Sequence, residues 1–256
     1  MNLVLLIILF LLMLYIDIKR GIKLFISLII NFIILIILFY LIAIGINPII
    51  CSLIACFIIS YIILYFVNGE NIKTKSSLKS IIIVLIILLV SIFIITKLSR
   101  IAGFDYDLNE DIIIYSTSVN IDFTEISISL ILISLIGATV DSSVAISSAL
   151  YEVYLNNKNL TKLELFKSGM NIGHDILCTT TNTLLFVFLG DFMTLLIWYY
   201  KGNYNFLDLI NAKIFIGEVI KILFSALGCI LVIPITSYIT SKNIIKLKNK
   251  GIEEED

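Results

Sequence analysis

The chain has 256 residues, of which 60% are hydrophobic and only 14% charged, with a mean hydropathy of +1.10. A soluble domain carries about 25% charged residues, and so little polar surface cannot cover an apolar core this large. The composition therefore excludes a soluble globular protein. The net charge of -1, without a basic patch, argues against a nucleic-acid partner. The expected class is an all-α integral membrane protein whose main partner is the lipid bilayer.

A membrane helix needs roughly 20 apolar residues, and about seven segments qualify. They are about 2–16, 24–44, 48–67, 80–96, 126–151, 176–200 and 214–240, together one polytopic domain. The first is short. No Lys or Arg precedes it and no small-residue cleavage site follows, so it reads as a span rather than a cleavable signal peptide. Gly45-Ile46-Asn47-Pro48 predicts a tight turn before the third span, with Pro suited to the helix start.

Basic residues alternate with the loops. Thirteen of the 18 Lys and Arg fall in the loops after spans one, three and five and in the tail. Only Lys97, Arg100, Lys201 and Lys213 fall on the other side, and Lys221 lies within span seven. By the positive-inside rule this predicts an N-terminus outside and a C-terminus in the cytoplasm. The outer loop 97–125 is acidic and reads as a solvated surface segment.

Span five departs from the Ile/Leu pattern. At 100° per residue, Ser134, Gly137, Ala138, Ala145, Ser148 and Glu152 fall within about 60° of Asp141. Small stripes let helices approach closely in lipid. An acid on such a stripe costs about 2.5–3.5 kcal/mol at mid-membrane and is a functional candidate. Thr161-Lys162-Leu163-Glu164 predicts a capping box. It opens an amphipathic cytoplasmic helix over 161–172, with Gly169 and Gly173 offering a break before span six.

In span six, Asp175, Thr179, Asn182 and Thr183 share a face. They could wall an ion or proton path, or simply join helices, and Asp175 also suits the helix dipole. For His174 a solvated or lipid-facing ring is the simpler reading. In span seven Glu218 and Lys221 can pair, or Lys221 can neutralise Asp141 across helices, and Pro234 predicts a kink. The four cysteines fall in spans without a Cys-x-x-Cys pair, and one histidine cannot build a zinc site. No catalytic, metal or cofactor motif is expected.

These residues resemble the YibE/F family of bacterial multi-pass membrane proteins, over most of the chain. The likeness is sharpest in Gly137-Ala138-Thr139-Val140-Asp141 and Ile146-Ser147-Ser148-Ala149-Leu150-Tyr151-Glu152. It continues in Glu164-Leu165-Phe166-Lys167-Ser168-Gly169-Met170-Asn171-Ile172-Gly173 and Thr181-Asn182-Thr183-Leu184. Val67-Asn68-Gly69 and Gly228-Cys229-Ile230-Leu231-Val232-Ile233-Pro234 also fit. The length matches the shorter, YibF-like branch. His174 and Cys178 stand where that pattern usually has Arg and Gly, which puts an essential positive charge there in doubt. The resemblance implies the bacterial plasma membrane and a longer YibE-like sister protein as partner, with a homo-oligomer as the alternative.

Gly137-x-x-x-Asp141 with the helices after it is also similar in layout to the central helices of the resistance–nodulation–division, MMPL and SecDF transporters. There an Asp on the corresponding helix carries protons. The expected function is thus a subunit of a proton- or ion-coupled transporter. Asp141 would bind the ion, Glu218 and Lys221 would tune it, and Asp175, Thr179, Asn182 and Thr183 would form the path. The alternative is a non-transporting scaffold that docks a sister protein through the small stripe, and an enzyme is not expected.

Overall fold

The computed structural model describes residues 2–99, 123–201 and 205–250, which contain helices and turns but no strand. Most of the acidic segment predicted as a surface loop lies outside the described residues. Helix α1 (Asn2–Ile16) ends at Asp17, whose carboxylate accepts from Arg20 N at 3.1 Å and caps α2 (Ile18–Ala43). Gly45 takes φ +94°, and Asn47 Oδ1 accepts from Ile49 N at 3.0 Å and Ile50 N at 3.2 Å. With Pro48 in its first turn, α3 (Pro48–Tyr61) follows the predicted turn. It continues into a π-helical segment, Ile62–Val67.

Gly69 at φ +78° reverses the chain, and a reciprocal Asn71–Thr74 capping box opens α4 (Ile72–Leu98). Helix α5 covers Phe123–Asn156. The Thr161–Glu164 box forms as the sequence predicts, with Thr161 N donating to Glu164 Oε2 at 2.8 Å, and starts α6 (Lys162–Lys201). Short α7 (Phe206–Asn211) leads to α8 (Lys213–Lys250), which remains one helix through Pro234.

Among the described residues, six helices are long and apolar enough to cross a membrane: α2, α3 with its π segment, α4, α5, α6 and α8. The apolar run of α1, Val4–Tyr15, is shorter. One expectation needs correction. No break separates a cytoplasmic helix 161–172 from span six, because α6 is continuous for 40 residues. Its glycines serve packing instead. A Cβ on Gly169 would meet Ser237, and one on Gly173 would meet Ile233, so their bareness seats α6 against α8.

The core is built from α4, α5 and α8, with α3 on one flank. Leu88 and Ile92 of α4, Leu132 and Leu135 of α5, and Phe224 and Val232 of α8 pack together there. Lipid supplies no hydrophobic drive between spans, so close packing and buried hydroxyls hold them. Ser77 Oγ bonds Ser147 Oγ at 2.7 Å between α4 and α5. Ser143 Oγ bonds Thr236 Oγ1 at 3.1 Å, and Ser134 Oγ bonds Ser225 Oγ at 3.0 Å, between α5 and α8. These pairs advance together along both helices, so α5 and α8 run parallel.

Basic residues gather at one end of the bundle, called the basic end below. Arg20 reaches Asn68 there, Lys73 stacks on Tyr151, Lys162 stacks on Tyr238, and Lys248 donates to Lys158 O. Helix α2 packs on α3 and its π segment, and α1 packs on α2. A gap between α2 and α5 results, and Asp141 faces it.

Candidate functional site: a cleft carrying Asp141

The gap is an open cavity of about 890 Å³. Ser27, Leu28, Asn31 and Leu35 of α2 form one wall. Asp141, Val144 and Ala145 of α5 form the other, and Ile63, Val67 and Asn68 form the floor. Polar side chains are few on these walls. Asp141 is exposed to the cleft rather than buried in the helix contacts. Among the described residues no ion pair or hydrogen bond engages its carboxylate. Across the cleft, Asn31 Oδ1 is buried without a hydrogen-bond partner among the described residues.

Local sequence explains the opening. Gly137 and Ala145 precede and follow Asp141 by one turn and add no bulk. A Cβ on Gly137 would meet nothing within 4 Å. The opposite side of α5 carries Ser142, Ser143 and Ser147, all buried against α4 or α8. One helix therefore presents a bonded hydroxyl face to the core and a small, open face to the cleft. The π segment lies on the floor, and such local widening is frequent at functional sites.

A second, polar cavity of about 460 Å³ lies at the basic end. Lys73, Thr74, Ser77, Ser147, Ser148 and Tyr151 are among its lining residues. Arg20, Asn68 and Val144 line both cavities, so the polar vestibule and the Asp141 cleft adjoin. At their junction Arg20 Nη2 donates to Asn68 Oδ1 at 3.2 Å, and Asn68 Nδ2 donates to Ile63 O of the π segment at 3.1 Å. Nothing in the described residues groups His, Cys, Asp or Glu as a metal site.

The candidate residues do not all converge here. Glu218 and Lys221 pair with each other and line a different, small cavity with Ser127 and Lys213. Ser225, one turn beyond Lys221, is level with Ser134 through their hydroxyl bond. Lys221 is therefore displaced from Asp141 by about 16 Å along the parallel helices, at 1.5 Å per residue. Of the alternatives the sequence left open for Lys221, the pair with Glu218 is the one that forms. Asp175, Thr179, Asn182 and Thr183 are exposed on α6. Thr179 and Thr183 donate to their own backbone, to Ile176 O and Thr179 O, each at 2.9 Å. His174 and Cys178 are exposed on the same helix.

The predicted packing stripe divides in the same way. Ser134 and Ala138 do pack, against α8. Gly137 is open, Ala145 lines the cleft and Ser148 lines the vestibule. Ser27 and Asn31 carry a sequence signal that was missed, polar residues at i and i+4 in the apolar body of α2, and Arg20 counted only toward the charge asymmetry of the loops. It noted Asn68 only as part of a family motif.

The family model described as YibE/F-like protein matches residues 5–246. The chain belongs to the YibE/F-like family. Curated proteins and solved structures gave no match. In this YibE/F-like protein the matched region takes in both cavities and every helix that lines them.

Proposed function

We propose that this YibE/F-like protein is a subunit of a proton- or ion-coupled transporter of the bacterial plasma membrane, with Asp141 as its ion-binding carboxylate. The observation that supports the reading best is that the polar vestibule adjoins the cleft holding Asp141. An intramembrane acid is retained where it faces a cavity or a functional path, given its insertion cost. Asp141 faces such a cavity and carries no fixed counter-charge among the described residues, so a proton or cation is its natural partner. By the positive-inside rule the basic end faces the cytoplasm, so on this reading ions would reach the vestibule from that side. The layout shared with proton-driven transporters points the same way.

The test is proton movement into proteoliposomes under an imposed potential, measured for the wild type and Asp141→Asn. Flux in the wild type and none in a folded Asp141→Asn variant is the expected result. Equal flux in both removes the role of Asp141.

A second reading is favoured by α6, on which Asp175, Thr179, Asn182 and Thr183 are exposed. Polar groups facing lipid are costly, and a partner helix would cover them. On this reading the protein is a scaffold for a sister membrane protein or for another copy of itself. Asn182→Leu would then break a co-purifying complex, while Asp141→Asn would leave it intact.

A further inference from the structure

The two cavities differ in chemistry and share an edge, and that combination suits one kind of ligand. The vestibule is polar and basic, with Arg20 and Lys73 on its walls. Its one acid, Glu70, is already paired with Lys75 at 3.0 Å. The cleft is mostly apolar, lined by Met13, Leu24, Leu28, Phe32 and Leu35, with Ser27, Asn31 and Asp141 as polar points on its walls. Arg20 and Asn68 stand where they meet.

The geometry points to an anionic amphiphile. Its phosphate-type headgroup would sit in the vestibule and a single acyl chain in the cleft. Three observations carry this. First, Arg20 Nη2 rests on the neutral Asn68 amide, and among the described residues no carboxylate pairs with the guanidinium. A forked donor without a counter-ion at a cavity mouth matches a phosphate or carboxylate oxygen pair. Second, Ser148 and Tyr151 place hydroxyl-bearing side chains at the same space, backed by Ser77, Ser147 and Thr74, which are held in helix contacts and the cap. Lys73 stands over the Tyr151 ring at 4.5 Å, which adds positive charge without closing the space. Third, the apolar wall from Arg20 to Leu35 extends about 22 Å at 1.5 Å per residue. Half the bilayer core is about 15 Å, so the cleft accommodates one chain from one leaflet. It is also an open rather than enclosed cavity, so a chain can enter.

A zwitterionic lipid would bring its own cation toward Arg20 and Lys73, and a free anion would leave the cleft unused. The occupant is thus an anionic lipid or a similar single-headgroup amphiphile. Transport of such a lipid would rest on the transporter reading, whereas its binding does not.

Binding is tested on the full chain in detergent. An equimolar mixture of phosphatidylglycerol and phosphatidylcholine is added, and retained lipid is counted by native mass spectrometry. One phosphatidylglycerol is expected to be retained about tenfold more tightly than phosphatidylcholine, as one charge-assisted contact provides. Arg20→Gln should erase that preference, and Arg20→Lys should restore part of it. Ala145→Trp, which fills the cleft, should expel the lipid while thermal stability and elution remain those of the wild type. Equal retention of the two lipids overturns the proposal. So does a preference that survives the double change Arg20→Gln and Lys73→Gln. Displacement of the lipid by millimolar inorganic phosphate alone would also overturn it, since the chain would then contribute nothing. Selective binding with no proton flux in the wild type would leave this site standing and remove the transporter reading.

Discussion

Arg20 and Asn68 are 48 positions apart in sequence and join side chain to side chain at 3.2 Å, at the edge shared by the vestibule and the Asp141 cleft. Asn68 also donates to Ile63 O of the π segment, so one amide holds both the guanidinium and the cleft floor. A charged residue is thereby kept at the mouth of the cavity that Asp141 faces.

Asn68→Ala removes both bonds at once and frees Arg20. In a background with the four cysteines replaced, Asp141→Cys should react with a water-soluble thiol reagent added at the basic end. Adding Asn68→Ala should raise that rate several-fold. Labelling from the opposite side alone would contradict the described opening.

Asn31 Oδ1 is a buried acceptor without a partner among the described residues. Such a group costs about 1–3 kcal/mol, and a protonated carboxyl in the same cleft is a donor able to satisfy it. Asn31→Leu is therefore expected to hold or raise the melting temperature while lowering proton flux. A lower melting temperature with unchanged flux would show that Asn31 serves packing alone.

Gly228 sits under Leu135 and Thr139, where an added Cβ has no room, whereas Gly137 is open. Overpacking typically costs roughly 1–3 kcal/mol. Gly228→Val should lower the melting temperature by several degrees, and Gly137→Ala should leave it unchanged. Thermal unfolding in detergent compares the two directly.

Glu218 and Lys221 neutralise each other away from the cleft. The double variant Glu218→Gln with Lys221→Gln removes the pair without stranding one charge. Proton flux should persist near the wild-type level. Loss of flux in a folded double variant would restore the coupling to Asp141 that the helix register argues against.

Much of the fold was legible because lipid imposes a simple length rule. Asp17, Asn47 and Thr161 stand as caps in the structure, at the starts of α2, α3 and α6. What sequence periodicity misjudged was α6. Gly169 and Gly173 suggested a break, yet a bare position in a helix can equally seat a neighbour, and only the placement of Ser237 and Ile233 decides between these. The site was legible in one residue, Asp141, as an acid in a small stripe. Its surroundings were not. The wheel places residues on faces of their own helix but cannot say which neighbour a face meets. Arg20 and Asn31 come to the cleft from α2, a helix that reads as plain apolar sequence apart from its ends. Lys221 shows the converse, being chemically suited to Asp141 but held at another level by the Ser134–Ser225 contact.

The most direct measurement of the central claim is an infrared titration of reconstituted protein across pH, comparing the wild type with Asp141→Asn. The account predicts a protonated-carboxyl band that fades reversibly as pH rises, is absent from the variant, and responds to solvent exchange into heavy water. A wild-type spectrum without such a band, or a band that persists unchanged in Asp141→Asn, would contradict it.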